Sequence, residues 1–445
     1  MRQGIKQACC LLQAASLTLA ACRHALAQEL VAAPYDKSGI YAIRQTVGWT
    51  ITLAPGQAPS VGTYPYVVTE NGGSIIARGS LDFSRTPVSI ETSLARPGMV
   101  RVEIRPPQGS AQPFGNVSTG GPGLVALGAA VAPTRIAPVE RRPGDFDRFW
   151  DAQLAQLARV PMNAIVTPKE SESADIDYAT VRLDNVDGAH VYGQIARPHR
   201  DGKYPALLIL QYASPPYPLP RQWVTDRARE GWLAFNVQPH DVPSDMPAEF
   251  YAALPQMIKE YQTVNASDRD HGYFRQMYLG DVRAVDYLAS RSDWDGRVLV
   301  ATGTSMGGQQ SLAVAGLDAR ITGVVVDVPA GSDANGALHG HMPGYPNWNV
   351  KNARVSSAAR YFDVTNLAPR IKAPTMMAMG FIDAVTPAIG IWTTFNLIRA
   401  TKEAVPMIDS PHNHQATAEQ QRPWVTRSAA WLSALKDGSA PPAPH

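Results

Sequence analysis

The fold of this chain is decided by the stretch Val298-Leu299-Val300-Ala301-Thr302-Gly303-Thr304-Ser305-Met306-Gly307-Gly308. Its apolar first half is typical of a buried strand, and residues 308–315 favour a helix. Between them, Ser305 is the centre of a G-x-S-x-G pentapeptide. A serine at the tip of a sharp strand-to-helix turn has a strained backbone, so the residues two before and two after it must lack bulk. The stretch therefore predicts a nucleophile elbow, with Ser305 at the N-terminus of a helix.

The sequence around this elbow alternates between strands and helices. Candidate strands are residues 205–210, 232–237, 298–302, 321–328, 375–379 and 404–408, and residues 175–196 predict two antiparallel strands around a turn. Helical periodicity marks residues 146–157, 273–291, 308–317, 388–400 and 416–435. This alternation predicts an α/β fold for residues 145–437, with a mostly parallel central sheet covered by helices on both faces.

The N-terminal part of the chain has a different pattern. Short β-favouring runs recur at 48–53, 63–69, 74–77, 88–94 and 99–104, with Gly, Pro, Asn and Asp between them. This spacing predicts a small all-β sandwich over residues 28–130. Residues 108–128 are rich in Gly, Ser and Pro and are predicted to be a loop, and residues 131–144 to be a linker. The Pro-rich residues 438–445 are predicted to be a disordered tail.

The first 27 residues have the features of an export signal. Arg2 and Lys6 precede a short apolar segment, and Ala25-Leu26-Ala27 is an A-x-A cleavage site. We therefore expect a secreted or periplasmic protein without a transmembrane span. A lipoprotein anchored through Cys22 is the alternative, because Leu19-Ala20-Ala21-Cys22 fits a lipoprotein cleavage box.

Composition excludes several classes of function. The formal net charge of the 445 residues is +2, with no basic run, so no nucleic-acid partner is expected. The three cysteines, Cys9, Cys10 and Cys22, all lie in or beside the signal. The mature chain is therefore expected to have no disulfide, no thiolate nucleophile and no cysteine-based zinc site.

Two later loops contain the partners that a serine nucleophile needs. A serine is a weak nucleophile until a base takes its proton, and in α/β-hydrolases the acid and then the histidine follow it in the chain. Asp383 comes just after the strand at 375–379, and His412 follows the strand at 404–408. We predict a triad of Ser305, Asp383 and His412. His414, two residues on, is the alternative base, and we prefer His412 for its distance from the strand end.

Two H-x-H pairs raise the question of a metal. His339 and His341 form one pair, and His412 and His414 form the other. Together they could bind a metal ion, but exposed loop histidines are the commoner explanation of such pairs. We predict neither a metal nor a cofactor.

At this point the chain resembles carbohydrate esterase family 7, the acetyl xylan esterases and cephalosporin-C deacetylases. The resemblance rests on Pro143-Gly144-Asp145-Phe146-Asp147-Arg148-Phe149-Trp150, on the long helix at 273–291, on the G-x-S-x-G-G at 303–308 and on the segments around Asp383 and His412. It covers residues 142–435. It implies an α/β-hydrolase that removes acetyl groups from acetylated saccharides through an acyl-enzyme, and an oligomeric ring.

The resemblance also implies where an oxyanion would bind. The N–H of Met306, the residue after the nucleophile, is one expected donor. The second comes from the loop at 211–217, where Pro215 and Pro216 have no N–H to give, so we expect Ser214 or Tyr217. The expected substrate pocket is lined by four further residues, Tyr212, Tyr345, Trp348 and His414. The rings of Tyr345 and Trp348 can equally well pack on the domain instead of stacking on a sugar.

The sequence departs from the family pattern beside the histidine. Pro411 stands where the family has glycine, and Asn413 where it has glutamate. Together with the proline pair in the oxyanion loop, these changes leave open a non-catalytic carbohydrate-binding protein on a decayed esterase scaffold. A prolyl-oligopeptidase-like serine peptidase shares the order of the triad, but it would normally bring a larger gating domain than this sandwich.

Overall fold

The structure is a computed structural model that describes residues 30–59, 61–110, 113–171 and 173–443. The predicted export signal and Cys22 lie outside the described residues. Within the described part of the chain, no helix combines the length and the apolar character needed to cross a bilayer.

Seventeen strands and ten α-helices make up most of the regular structure of the described residues. The strands are β1 (Leu30–Pro34), β2 (Ile40–Tyr41), β3 (Val47–Leu53), β4 (Tyr64–Glu70), β5 (Ser74–Leu81), β6 (Val88–Thr92), β7 (Gly98–Ile104), β8 (Val125–Val131), β9 (Ile165–Lys169), β10 (Ile176–Asp184), β11 (His190–Pro198), β12 (Tyr204–Leu210), β13 (Leu233–Gln238), β14 (Trp294–Thr304), β15 (Gly323–Asp327), β16 (Thr375–Gly380) and β17 (Lys402–Met407). The helices are α1 (Phe146–Ala158), α2 (Gln222–Arg229), α3 (Ala248–Ala252), α4 (Gln256–Lys259), α5 (Tyr273–Ser290), α6 (Met306–Leu317), α7 (Ala353–Phe362), α8 (Val364–Leu367), α9 (Ala388–Leu397) and α10 (Ala418–Lys436).

The second part of the chain is built on a nine-stranded sheet with the order β17-β16-β15-β14-β12-β13-β11-β10-β9. Neighbours from β17 to β13 are parallel, and β9, β10 and β11 continue the sheet in antiparallel fashion. Parallel strands put their carboxyl ends on one edge of the sheet, where the loops after β12, β14, β16 and β17 meet. The predicted mostly parallel α/β architecture is confirmed.

Helices bury both faces of this sheet. One core contains the apolar sides of α1, α5, α6 and α9, with Trp150, Tyr278 and Phe362 among its largest buried side chains. The opposite core is smaller and holds α2 and α10 against the sheet, with Trp232 and Trp431 at its centre. Helix α6 is buried all round because it lies in the middle of the larger core, and it begins directly after Ser305.

The N-terminal region is a β-sandwich, as predicted. A three-stranded sheet, β1-β3-β6, packs on a five-stranded sheet, β2-β8-β7-β4-β5, and the inward side chains of both sheets form a separate core. All pairs in it are antiparallel except β2 with β8. The division of the chain at residues 131–144 stays a prediction.

One sequence expectation about this region is wrong. The composition of residues 108–128 predicts a loop, but β8 begins at Val125 and is buried along its whole length. Its residues, Val-Ala-Leu-Gly-Ala-Ala-Val, are small or apolar on both faces. The strand therefore lacks the polar-apolar alternation by which half-exposed strands are recognised.

Candidate active site

The backbone at Ser305 has the strained turn that its sequence predicts. Ser305 lies between β14 and α6 with φ 57° and ψ −119°, in a region that non-glycine residues rarely occupy. Its N–H donates to the Asp327 carbonyl at 3.0 Å, and its own carbonyl accepts from the Ala330 N–H at 2.9 Å. A Cβ on Gly303 would lie 2.4 Å from Gly307, so the two glycines allow the strand and the helix to meet.

Ser305, His412 and Asp383 are brought together at the carboxyl edge of the sheet. The Nε2 atom of His412 lies 3.0 Å from Ser305 Oγ, and its Nδ1 atom lies 2.7 Å from Asp383 Oδ2. All three residues are buried. The carboxylate accepts a hydrogen bond from a proton on Nδ1, which leaves the lone pair of Nε2 free to accept the serine O–H.

The Asp383 carboxylate is held by its own loop. Oδ1 accepts hydrogen bonds from the N–H groups of Val385 and Thr386 at 2.7 and 2.8 Å. Oδ2 accepts from the Thr386 hydroxyl at 2.8 Å in addition to its contact with His412. Four hydrogen bonds fix the orientation of the carboxylate, so it can orient the imidazole in turn. Thr386 is a partner that the sequence reasoning missed.

His414 lies beside this arrangement and outside it. Its ring is 5.3 Å from the His412 ring in an edge-to-face contact, and the residue is exposed. Partial burial of the ring, and secondarily the neighbouring His412, lower the pKa of His414. Of the two candidate bases, His412 is therefore the one within hydrogen-bond distance of both Ser305 and Asp383.

A second carboxyl group, missed by the sequence reasoning, is buried next to Asp383. Asp327 ends β15, whose neighbouring strand β16 leads to Asp383. Its Oδ1 atom has no hydrogen-bond partner among the described residues. Burial, and then the Asp383 carboxylate, raise the pKa of Asp327 to about 8. Asp327 is thus protonated at neutral pH, and of the two side chains Asp383 is the one hydrogen-bonded to His412.

The loop after β12 lies against the elbow through its first residues. A Cβ on Gly307 would be 2.1 Å from the Leu210 carbonyl oxygen and 3.1 Å from the Gln211 carbonyl carbon. The Gln211 carbonyl accepts from the Gln310 side chain at 2.9 Å, which ties the loop to α6. The next atom of the chain is the nitrogen of Tyr212. Among the described residues, neither this N–H nor that of Met306 donates a hydrogen bond to a backbone carbonyl.

The two residues first expected to supply the second oxyanion donor lie further along this loop. The carbonyl of Ser214 faces His240, whose Nε2 is 2.9 Å away. Tyr217 donates its hydroxyl to Gln211 at 2.8 Å, and its carbonyl accepts from Gln238 at 2.7 Å. These contacts make Ser214 and Tyr217 anchors of the loop.

His240 is the buried support of this loop. Its Nδ1 is hydrogen-bonded to the Tyr273 hydroxyl, and the residue is 2% exposed. Burial lowers the pKa of His240 to about 4, so the ring is neutral at physiological pH. A neutral ring has one N–H, and placing it on Nε2 lets it donate to the Ser214 carbonyl. Nδ1 is then an acceptor, and it shares the single Tyr273 O–H with the Pro239 carbonyl, which lies 2.9 Å from the same hydroxyl. From the sequence alone, His240 can be either a brace of the active-site floor or part of a structural turn.

The two aromatic residues expected in the pocket wall have different surroundings. Tyr345 is half-buried, and its hydroxyl lies 3.1 Å from Met306 Sδ and 2.7 Å from the Tyr261 hydroxyl, at the elbow. Trp348 donates its indole N–H to the Gln262 carbonyl and packs edge-on against Phe274. Tyr345 is therefore next to the predicted reaction site, whereas Trp348 packs into the domain.

A cavity of about 510 Å³ opens between the loop after β12 and the loop after β17, and its lining includes Thr304 and Asn413, the chain neighbours of Ser305 and His412. The ends of β12 and β14 form its floor, and Asn413 borders it next to His412. Its aromatic lining consists of Tyr212, Trp223 and Trp424. The ring of Tyr212 is stacked on that of Tyr217, 5.4 Å away, and the residue is 42% exposed.

The histidines of the pair His339 and His341 each contact a carboxylate side chain. His341 is 2.6 Å from Asp333, and His339 is 3.2 Å from Glu140. In the described parts of the chain, no three His, Cys, Asp or Glu side chains are grouped closely enough to hold a metal ion.

Comparison with known proteins agrees with this geometry. A family model for acetyl xylan esterases matches residues 134–428, well over half of the chain. The chain belongs to the acetyl xylan esterase family. The protein is therefore a carboxylic ester hydrolase with acetyl xylan esterase-like function.

Relatives of this esterase differ in how much of the chain they share. The acetyl esterase Axe7A of Xylanibacter ruminicola is 28% identical over 389 residues, which cover 85% of this chain and 82% of that protein. That match is too long to lie wholly after residue 133, so it extends into the β-sandwich.

Two solved structures share the fold of the esterase. The acetyl xylan esterase from Paenibacillus sp. R4 superposes with a TM-score of 0.57 at 24% identity, covering 67% of this chain and 98% of that one. Acetyl xylan esterase 1 from Thermoanaerobacterium sp. JW/SL YS485 does so with a TM-score of 0.53 at 20% identity, covering 63% and 92%. In both cases about two thirds of this chain aligns with nearly the whole of the solved protein.

Proposed function

We propose that the esterase removes acetyl groups from acetylated saccharides through a covalent acyl-enzyme on Ser305. The observation that supports this most directly is the continuous hydrogen-bonded chain from Ser305 through His412 to Asp383. A serine, a base and an orienting carboxylate in this order are the groups that acyl transfer needs.

The proton follows the two hydrogen bonds of His412. As Ser305 Oγ attacks the acetyl carbonyl carbon, Nε2 accepts the hydroxyl proton, and the imidazolium is stabilised by Asp383. The same proton then passes to the alcohol oxygen as the ester bond breaks, which leaves the acetyl group on Ser305. Water repeats the sequence, with His412 as base, and releases acetate.

The tetrahedral intermediate carries a negative oxygen that needs hydrogen-bond donors. Met306 N–H, at the first position of α6, is the first of them. For the second we propose Tyr212 N–H in place of Ser214 or Tyr217, because Leu210 and the Gln211 carbonyl carbon lie directly against Gly307 and the Tyr212 nitrogen is bonded to that carbon. Tyr212 precedes Pro215 and Pro216, so the missing proline N–H groups do not remove this donor.

The aromatic cavity beside the triad supports a saccharide as the alcohol portion of the ester. The flat apolar faces of Tyr212, Trp223 and Trp424 suit the C–H faces of pyranose rings, and Asp226, Arg227 and Glu230 at the rim can hydrogen-bond hydroxyl groups. The cavity borders Thr304 and Asn413, the neighbours of the nucleophile and the base. A short saccharide could therefore lie in it with an acetyl group at Ser305.

Replacing the nucleophile tests the reaction. We expect Ser305→Ala to abolish hydrolysis of p-nitrophenyl acetate and labelling by a fluorophosphonate, with an unchanged circular dichroism spectrum. Ser311→Ala is the matched control, because Ser311 is a buried serine on α6, the helix that follows Ser305, and its hydroxyl donates to the Gly307 carbonyl. Retained turnover by the Ser305 variant, or a wild-type protein that the probe does not label, would contradict the assignment.

A substrate panel tests the alcohol portion. The rate on acetylated xylo-oligosaccharides, relative to p-nitrophenyl acetate, is expected to exceed the rate on acetylated cephalosporins, since pyranose rings suit the aromatic lining of the cavity. Equal or faster turnover of the cephalosporins would contradict a saccharide-binding role of this cavity.

We also propose that the protein is exported, on the grounds of the signal-like first 27 residues. Determining the N-terminal residue of the mature protein distinguishes cleavage after Ala27 from a lipidated Cys22. A mature protein that begins at Met1 would contradict export through this segment.

A further inference from the structure

Strands β7 and β8 of the five-stranded sheet are buried on both faces. On β7 and β8 the alternate residues Val100, Val102, Ile104, Val125, Leu127, Ala129 and Val131 belong to the core of the sandwich itself. The residues between them point the other way, and two of these, Met99 and Ala130, belong to the main core of the catalytic region. A sandwich that served as a separate module would expose this second face to water.

The face that points away from the sandwich core contacts the loop of the catalytic aspartate. Gly128 lies so close to this loop that a Cβ on it would be 2.5 Å from the Phe381 carbonyl oxygen. Ala126 and Ala130, on the same face, are also small. Because Asp383 is two residues after Phe381, the sheet supports the backbone that positions the carboxylate.

Arg101 makes a polar contact between the two regions. It stands opposite Gly128 in the β7–β8 pair. Its Nη1 donates to the carbonyl of Ile382 at 2.8 Å, and Nε pairs with Glu103 at 3.1 Å. Arg101 is 6% exposed, and it lines a cavity of about 20 Å³ together with Asp383.

The sandwich also contacts the loop that contains Tyr345. In the turn between β4 and β5, Gly72 forms an isolated antiparallel β-bridge with His341. In the same turn, the Asn71 carbonyl accepts a hydrogen bond from the Met342 N–H at 2.8 Å. The contact at Gly73 is so close that a Cβ on this residue would lie 2.1 Å from the Gly340 carbonyl oxygen. Two loops of the candidate active site thus rest on the sandwich.

We propose that Arg101 is a positioning residue of the esterase reaction, which holds the Ile382 carbonyl and thereby sets the Asp383–His412 hydrogen bond. The β-sandwich is then a part of the catalytic unit. The proposal rests on the triad proposed above. It gives a role in the reaction to Arg101, which precedes Ile382 by 281 positions in the chain. Arg101 acts only through the backbone of this loop and does not touch the substrate.

The test compares two buried neighbours on β7 that face opposite ways. Arg101→Met keeps the apolar stem and loses the donor to Ile382, whereas Val102→Ala creates a cavity inside the sandwich without touching the loop. We expect Arg101→Met to lower kcat for p-nitrophenyl acetate by about 10- to 100-fold, with KM within about twofold, since small misplacements of catalytic groups have effects of this size. Val102→Ala is expected to lower the melting temperature at nearly wild-type kcat.

Two further readouts separate positioning from general destabilisation. The downfield proton resonance of His412 Nδ1–H should shift or broaden in Arg101→Met and stay unchanged in Val102→Ala. Arg101→Lys keeps a charged donor and should recover most of the lost kcat. A wild-type kcat in Arg101→Met, or an equal loss of kcat in Val102→Ala, would overturn the proposal.

A glycine pair keeps the proposal testable if Arg101→Met does not fold. Gly128→Ala places a methyl group against Phe381 and should lower kcat without changing KM. Gly144→Ala is its control, because a Cβ there meets nothing within 4 Å. Equal kcat values in the two glycine variants would speak against a role of this contact. Loss of the proposed function itself would be seen separately, as a wild-type enzyme that neither turns over ester nor reacts with the fluorophosphonate.

Discussion

The two sides of the candidate active site are held in place in different ways. On the acid side, Asp383 accepts four hydrogen bonds, three of them from its own loop, and the sandwich packs behind it. On the oxyanion side, the loop at 211–217 contains two prolines and depends on side chains from elsewhere, chiefly Gln310, Gln238 and His240. The acid is thus oriented mainly by its own short turn, which the sandwich supports through Arg101, whereas the oxyanion loop depends on side chains from several distant elements.

This difference indicates how each side would respond to substitution. A carboxylate with several donors keeps its place when one donor is removed, but its charge has no substitute. A loop anchored by a few distant side chains can shift when any one of them is lost, and the other proposed donor, Met306 N–H, belongs to a separate element, helix α6. Charge changes should therefore dominate on the acid side, and small displacements on the oxyanion side.

The largest effect is expected from the charge of Asp383. Asp383→Asn preserves the shape of the side chain but removes the charge that favours the correct tautomer of His412, so kcat should fall by about 10⁴-fold. Steady-state hydrolysis of p-nitrophenyl acetate measures this, and circular dichroism checks the fold. Asp409→Asn is the matched control, because Asp409 is an exposed carboxylate on the loop of His412 and should leave kcat unchanged. A loss of less than about tenfold in Asp383→Asn would mean that another group orients His412.

A smaller effect is expected on the oxyanion side. His240→Phe fills the same space but removes the hydrogen bond to the Ser214 carbonyl, which leaves the loop less firmly held. Complete loss of an oxyanion donor costs about 10²–10³ in rate, so a displaced loop should lower kcat by about tenfold. Measuring kcat and KM for p-nitrophenyl acetate tests this, with Tyr217→Phe as a second loop variant. Wild-type kcat in His240→Phe would show that the loop needs no such support.

The smallest effect concerns stability and the buried Asp327. Its pKa is raised to about 8 in the folded protein, while an unfolded chain loses this proton at about pH 4. Between these values the unfolded state binds fewer protons, so this group makes the fold less stable as pH rises. Asp327→Asn cannot ionise and does not lose stability in this way. The melting temperature of the variant minus that of the wild type should therefore increase by about 2–5 °C between about pH 5 and about pH 8. A difference that stays constant or falls with pH would contradict the buried neutral carboxyl.

Local patterns carried most of what the sequence could predict. The elbow at Ser305 could be recognised because strand, glycine, serine and helix follow one another within a few residues. Asp383 and His412 could be placed because each follows a buried parallel strand, and such strands end at one edge of the sheet. The family resemblance, confirmed by the match to residues 134–428, indicated the expected chemistry.

Features that depend on distant contacts could not be predicted in the same way. The support of the oxyanion loop by Gln310 and His240 joins residues that only the folded sheet brings together. The start of strand β8 cannot be told from a loop by its pattern, because both of its faces are buried and it shows no alternation. The raised pKa of Asp327 depends on burial and on a neighbouring carboxylate from another strand, neither of which its own sequence context reveals.

The two buried faces of β8 have a consequence for unfolding. Leu127 lies in the core of the sandwich, and Ala130 lies in that of the catalytic region, so one strand is a member of both. Separating the two regions would expose one face of this strand to water while the other stayed packed. The sandwich and the hydrolase sheet are therefore expected to unfold together as one cooperative unit, in which the loss of either region destabilises the other.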